Sequence, residues 1–553
     1  MEEATEGRPV GPYSLGEPAA NVYDRLAGLR QSVVDTGRVM AELTIPSLVP
    51  PDGWRTGDKL AGNNQSVGSH CVNNLAAALL FIAFPPNQPV IRLEAIEYAV
   101  QAEIDADPEL YARLQVAMSR LAEAHRTRMM STTMMSAYSV ALKLLIVAGN
   151  CLWKHTELDS PQVFPPNVYV CKRDAKGNPL LSIHKERISV QALDPDLKAF
   201  IYQHNPDLKD MNLWEQEVDI HSVCNLCVED DAGGASGERY WRYWQEYKGR
   251  LLPGTEVETD YDDPPMIPEW WTPVYGQDWG TSHCEEYRGD LFATEALSSS
   301  IIDMAAAAAA SWFFVNPSGR TSIKQLREAR NLSMFSGKAE DVTMFRAEKG
   351  GDLQVAMSVA DKAERRLGMA FLLNFAIQRS GERVTAEEIR RLGNELDKAL
   401  GGRYSELAQR TQRPIMLRFM HLHEEEAPQL PRLPKDLVQV QVITGVDALG
   451  NSKDAMDLEE LATAITTYFP QEAGEILKGI RWAARWCAAK GIKPDGLISS
   501  QQEVDAASQA KAQAAQRMAL IEKGTGPAVA GAASMADGMM QQQQQQMQPQ
   551  QGA

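Results

Sequence analysis

Apolar residues first fall into a helical stripe at Val22, Leu26, Leu29, Val33 and Met40, the three- and four-residue spacing of an amphipathic helix. The proline-bounded TIPSLVPP at Thr44 to Pro51 then reads as an extended turn, and Val67 to Phe84, apolar along nearly all of one side, as a core helix. Leu93 to Thr132 predicts further helices. From Tyr169 the period changes to two: VYVCKRD, an Ala-Lys-Gly-Asn turn and LLSIHKERISV make a hairpin, with further strands at Val218 to Val228 and Tyr240 to Tyr247 and the loop DDAGGASGE between those two. Helical spacing returns from Glu285 through Tyr287, Leu291, Ala296, Leu297, Ile301 and Met304 into the alanine run 305–310, which favours helix and presents little side-chain bulk. Trp312 to Val315 reads as a strand ended by the turn Asn316-Pro317-Ser318-Gly319. A short helix near Ile323 to Arg330, strands at Leu332 to Phe335 and Val342 to Arg346, and a helix from Gly350-Gly351 to about Phe375 follow. The pattern predicts an α+β protein.

The segment Gln378 to Pro414 is the most informative. A polar loop, Gln378, Arg379, Ser380, Gly381, Glu382 and Arg383, meets a helix whose start is marked by Thr385 and Glu388, residues placed to exchange side-chain and backbone hydrogen bonds as a capping box. Ile389, Leu392, Leu396 and Leu400 share one face of that helix, and Gly401-Gly402 interrupts it as a kink before Tyr404 and Leu407 resume the pattern. Beyond the linker Pro428 to Pro434, helices are expected at Asp457 to Tyr468 and Ala473 to Ala489, and an Ala/Gln-rich helix at Ser500 to Lys523. The Gly-, Ala-, Met- and Gln-rich end from Gly524 cannot bury a core and is expected to be disordered.

That loop and kinked helix resemble the portal, or head-to-tail connector, proteins of short-tailed double-stranded DNA phages of the T7-like group. Further matches follow in order: TIPSLVPP, SVGSHCVNNLAAALLFIAFPP at Ser66 to Pro86, LIVAGNCLW at Leu145 to Trp153, KRDAKGN at Lys172 to Asn178, EEYRGDL at Glu285 to Leu291, VNPSGR at Val315 to Arg320 and ITGVDALG at Ile443 to Gly450. The likeness runs from about Asn21 to Gly450. It implies a flexible N-terminus (1–20), a mixed α/β wing (21–284), a stem helix (285–311), a small α/β clip (312–349), a second stem helix (350–375), a tunnel loop (376–385), a kinked wing helix (386–427), a helical crown (428–497), a C-terminal barrel helix (498–523) and a disordered tail (524–553). It also implies a closed ring of about twelve copies at one capsid vertex, joined through heterologous interfaces. The partners it implies are further copies of the chain, duplex DNA contacted without regard to sequence, the terminase large subunit, a tail adaptor or nozzle protein, the major capsid and scaffold proteins, and internal core proteins. Arg379 and Arg383 would meet passing phosphates, and the clip's basic residues Arg320, Lys324, Arg327, Arg330 and Lys338 would form a docking surface. The expected location is the virion, after assembly in the host cytoplasm.

Charge changes the picture of how such a chain handles DNA. The net charge is −18, whereas duplex DNA carries about one negative charge per 1.7 Å; either a largely acidic wall repels the duplex toward an axis while sparse arginines make brief contacts, or the acidity merely keeps a large protein soluble. The longest apolar stretch, Val140 to Trp153, is interrupted by Lys143 and is shorter than the roughly 20 residues of a membrane span; the acidic N-terminus lacks the features of a signal peptide. Seven irregularly spaced cysteines fit reduced thiols.

Catalytic and cofactor chemistry finds little footing. Gly337-Lys338 is the nearest approach to a phosphate loop, but Leu332 and Ala339 occupy places that need glycine and a hydroxyl; neither ATPase activity nor a cofactor is expected. His221, Cys224 and Cys227 have ligand chemistry, yet strand alternation turns Cys224 away from the other two. His421, His423 and Glu424 to Glu426 form the rival site, a metal-dependent nucleic-acid enzyme; on a continuous helix the two histidines diverge, and a solvated acidic helix end is the competing expectation.

Overall fold

The computed structural model describes residues 13–84 except 56, 90–95, 108–228, 237–309, 312–328, 330, 334, 338–345, 350–373, 406–430, 438–442, 448–470 and isolated positions from 479 to 514. The chain divides into two compact units, Met1–Ala448 and Leu449–Ala553.

The first unit is built around two apolar helices, α2 (Val67–Ala83) and α4 (Met134–Ala148), whose Cys71, Leu75, Leu79, Ile82, Leu145 and Ile146 are fully buried. Helices α1 (Ala19–Glu42) and α3 (Pro108–Met130) join them. Gly149 ends α4 at φ +74, where an added Cβ would lie 2.6 Å from the Thr281 carbonyl carbon, so the chain can reverse there into β2 (Asn150–Lys154) only with glycine. Strand β2 lies between β3 (Gln162–Phe164) and β10 (Met266–Trp270), both antiparallel to it.

The expected hairpin is present as β4 (Tyr169–Arg173) and β5 (Pro179–Ser189), extended by β6 (Glu217–Val228), β7 (Arg239–Tyr247) and β8 (Arg250–Leu251), with β9 (Val257–Asp260) also on β7. Alternation gives this antiparallel sheet two apolar faces. Val170, Ile183, Val223 and Trp244 pack under Ala19, Val22 and Tyr23 of α1, while Tyr169, Cys171, Cys224 and Tyr243 face Leu152 and Met266. Arg30, buried in α1, donates to the Tyr169 carbonyl of β4, to the Asn167 carbonyl at 2.6 Å and to the Tyr23 hydroxyl at 2.9 Å, tying the helix to the sheet. Helix α5 (Pro195–His204) closes one end of the sheet between β5 and β6.

Two long helices then follow the short α6 (His283–Glu286): α7 (Arg288–Ala309) and α9 (Gly350–Ala370), joined through β11 (Trp312–Val315), α8 (Ile323–Glu328) and β12 (Val342–Phe345). Strands β11 and β12 are antiparallel, with Val315 opposite Val342 and Trp312 opposite Phe345. Helix α10 (Arg413–Glu426) and β13 (Val438–Val442) complete the first unit. The second begins along α11 (Ala448–Tyr468), against which the indole of Trp482 donates to the Leu458 carbonyl at 3.1 Å. Among the described residues no single helix is long and apolar enough to cross a membrane.

Five expectations need correction. Leu93 does not open a helix but sits in β1 (Ile91–Ala95), paired antiparallel with β13; each strand is only five residues long, and their pairing spans more than 340 positions. Because β13 pairs there, the stretch taken as crown contributes to the first unit up to Ala448. The N-terminal twenty residues are not all loose: Tyr13 packs edge-on against Trp244 and the Ala19 amide donates to buried Glu246 at 2.8 Å. Helix α9 ends at Ala370 rather than Phe375, since Leu372 adopts a left-handed φ of 57. Met334 lies outside any strand.

Candidate functional site: the anchors of the 374–405 segment and the basic hairpin

Gln378, Arg379, Ser380, Gly381, Glu382 and Arg383 lie outside the described residues, as do Thr385, Glu388, Gly401 and Gly402. What the structure defines is how the chain enters and leaves that segment.

On the entering side, Ala360, Ala363 and Leu367 bury one face of α9, and Arg366 Nε donates to both carboxylate oxygens of Asp290 on α7 at 3.1 Å. The Arg366 guanidinium draws the Asp290 carboxyl below its ordinary pKa. At the helix end Phe371 is fully buried, edge-on to His283 with centroids 4.7 Å apart. His283 Nε2 lies 3.3 Å from the Ala370 carbonyl, and burial holds the ring neutral by lowering its pKa to about 4. The last carbonyls of a helix lack intrahelical partners. The two residues after the helix are held by Asn74 on α2: its Nδ2 donates to the Phe371 carbonyl at 3.0 Å and the Leu372 carbonyl at 2.8 Å.

On the leaving side the helix is not regular. Ala408–Gln412 forms a π-helical turn immediately before α10, whose second residue is Pro414. Proline has no amide hydrogen and its ring crowds the carbonyl four residues back, so widening the preceding turn relieves both conflicts. The turn buries two polar side chains. Thr411 Oγ1 donates to Glu269 of β10 at 3.0 Å, and Gln412 Nε2 donates to the Ala83 carbonyl, the last of α2, at 2.7 Å. Arg410 lies over the Trp270 ring at 5.6 Å. Burial drives the Glu269 pKa up to about 8, opposed by Arg173, the Thr411 hydroxyl and Arg410. Both ends of the 374–405 segment are therefore held on one helix, α2, through Asn74 and Ala83.

The hairpin holds the expected docking residues. Arg320, Lys324, Arg327, Arg330 and Lys338 are all exposed. Their framework is organised by Asp341, which is buried: its Oδ2 accepts from the Arg320 amide at 3.0 Å and the Thr321 hydroxyl at 3.1 Å, and its carbonyl accepts from Asn316 N at 2.8 Å. Thr321 Oγ1 in turn accepts from the Lys338 amide at 3.1 Å. Gly319 packs against that carboxylate so closely that a Cβ would stand 2.5 Å from its carbon. Phe314, Ile323 and Met334 are exposed among the basic residues.

The rival metal site does not form. Helix α10 runs unbroken from Arg413 to Glu426. His423 turns inward, its Nδ1 2.9 Å from Nδ1 of buried His125, so one neutral ring donates and the other accepts. Burial lowers both pKa values, that of His125 to about 4. His421 instead faces Glu425 at 3.3 Å and Asp263 at 3.6 Å. The expected solvated end is correct for Glu425 and Glu426 and wrong for His423. On β6, His221 packs against Tyr23 while Cys224 faces the other side of the sheet. Among the described residues no cluster of three or more His, Cys, Asp or Glu could hold a metal.

Asn74, Glu269, Thr411, Gln412 and Asp341 were not singled out from the sequence. A signal existed for the first two: an asparagine inside the apolar run VNNLAAALL and a glutamate inside MIPEWW are polar residues that must find partners if buried.

Residues 17–485 match the family model described as bacteriophage head to tail connecting protein. The portal protein of Escherichia phage T7 is 31% identical over 529 residues, covering 95% of this chain and 94% of that protein. That of Enterobacteria phage T3 is 31% identical over 497 residues, 89% and 90% of the two chains, and that of Enterobacteria phage SP6 is 26% identical over 528 residues, 92% and 95%.

Proposed function

Since this chain belongs to the bacteriophage head to tail connecting protein family, we propose that it is the portal subunit of a short-tailed phage, a ring-forming conduit for DNA at one vertex of the head. The observation that carries the reading is the likeness to named portal proteins along nearly the whole length of both partners. The role is mechanical. The ring nucleates head assembly, admits DNA driven by a separate terminase ATPase, retains it, and seats the tail adaptor.

Features of the fold support the finer parts. Helices α7 and α9 leave Ile302, Val355, Val359 and Met369 exposed, from 45% to 65%, surface that neighbouring copies in a ring would cover. Exposed Ala305 and Ala306 give α7 a low profile where copies approach. The helix pair with its hairpin follows the stem–clip–stem order, and the exposed basic residues suit the hairpin for docking a motor or adaptor. Arg379 and Arg383 lie in the sequence between the two anchors, and guanidinium groups repeated around a ring would meet phosphates many times over, adding weak contacts through multivalency. The chain carries a net charge of −18, so a channel wall drawn from it would repel the duplex toward the axis.

Electron micrographs of the purified full-length chain test the reading. Rings with a central hole wide enough for a duplex are expected; particles that stay monomeric or dimeric across micromolar concentrations would overturn it.

A further inference from the structure

The connection from α5 to β6 presents an unusual surface. Met211, Leu213 and Trp214 are 44%, 56% and 89% exposed within four residues, yet the backbone carrying them is held firmly. Leu208 is buried beneath the short turn Pro206–Asp210, and Leu213–Glu215 forms a second turn. Gln216, also buried, staples the loop: its Nε2 donates to the Met211 carbonyl at 3.0 Å, while its Oε1 accepts from the Tyr202 hydroxyl at 2.6 Å and Gln191 Nε2 at 3.2 Å. Its backbone carbonyl accepts from the Val190 amide at 2.8 Å. A nearly naked indole on a braced loop loses little conformational freedom when it docks, which is the condition under which tryptophan becomes a dominant binding residue.

The surroundings select the partner. Asp207, Asp210, Glu215 and Glu217 are exposed about the apolar residues, and the nearby Lys209 lies over the Tyr202 ring at 5.6 Å. An acidic rim is repelled by phosphate, so neither DNA nor an anionic lipid surface fits it. We propose that Met211, Leu213 and Trp214 form a docking knob for a protein of the phage head whose receiving surface is an apolar pocket edged by lysine or arginine. The setting rests on the connector reading; the chemistry of the knob does not. Apolar burial supplies the hold and the acidic rim sets orientation and encounter rate.

The test uses the full-length chain with a photoreactive phenylalanine analogue at exposed Asn212, produced while heads assemble, with rings scored on the same samples by microscopy. The expected crosslink joins the chain to a head protein other than itself, at a peptide in which apolar residues are flanked by Lys or Arg. Its yield should fall about tenfold or more with Trp214→Ala, and by a lesser factor with the pair Asp210→Lys and Glu215→Lys, rings forming in both. Unchanged yield in Trp214→Ala, crosslinks only between copies of this chain, or a receiving peptide without basic residues would each overturn the proposal. Failure of the parent chain to form rings would count instead against the connector reading, the crosslink being judged separately.

Discussion

Replacing Glu269 by glutamine should make the protein more stable, and increasingly so as the pH rises. The native carboxyl is pushed from its ordinary value near 4.5 up to about 8, chiefly by burial, so between those values the folded chain keeps a proton that the unfolded chain releases. Stability contributed at this position is therefore fully present below about 4.5 and lost progressively as the pH climbs to about 8. At roughly 1.4 kcal/mol per pKa unit the whole rise corresponds to about 5 kcal/mol, a ceiling, because a buried site relaxes and admits water around a charge. Glutamine keeps the shape and an oxygen able to accept from Thr411 but has nothing to ionise. Glu269→Gln should accordingly match the parent within about 1 kcal/mol near pH 5 and exceed it by about 2 to 4 kcal/mol near pH 8.5. Urea unfolding of the two full-length proteins in parallel, followed by tryptophan fluorescence at several pH values, isolates this group, since all other titrations cancel in the difference. A stability difference that is flat with pH, or that shrinks as the pH rises, would refute the argument.

Asn74→Ala should leave the Phe371 and Leu372 carbonyls just beyond α9 without this donor, costing about 1 to 3 kcal/mol and speeding proteolysis between residues 371 and 412 in otherwise intact rings; unaltered cleavage would count against the anchor. Asp341→Ala should loosen the hairpin that bears the basic residues, raising amide hydrogen exchange at Asn316 and Lys338 by at least tenfold, while exchange in the β4–β8 sheet stays unchanged. Arg327, Arg330 and Lys338 changed together to Glu should spare ring assembly and weaken packaging or adaptor attachment in a salt-dependent manner, because exposed charges are screened over about 8 Å at physiological ionic strength; normal docking would move that surface elsewhere. Arg379 and Arg383 changed together to Ala should allow packaging to begin but increase DNA loss from filled heads, measured as DNA retained per particle with time.

Local periodicity made much of the fold legible. The strands from Tyr169 to Tyr247 alternate because each presents one face to α1 and the other to the sheet below, and the order helix, small insert, helix between residues 288 and 370 is visible in spacing, glycines and a proline turn. What escaped depends on partners remote in sequence. Strand β1 is too short to show a period, and its partner β13 is over 340 residues away. His423 looks like part of an acidic helix end until α3 brings His125 against it. Asn74 and Gln412 read as polar residues tolerated in apolar surroundings; only the fold reveals that they hold opposite ends of one segment to α2. Thr411 and Pro414 mark an irregular turn that helical spacing alone passes over.

In the proposed function, DNA passes through a ring of these chains, past Arg379 and Arg383. A photocrosslinking residue at position 383, in rings built into filled heads, measures this most directly. Crosslinks are expected from position 383 to packaged DNA at sites scattered without sequence preference, and none from the same group at position 214. Intact rings in filled heads with no DNA attached at 383, or with equal attachment at 214, would contradict it.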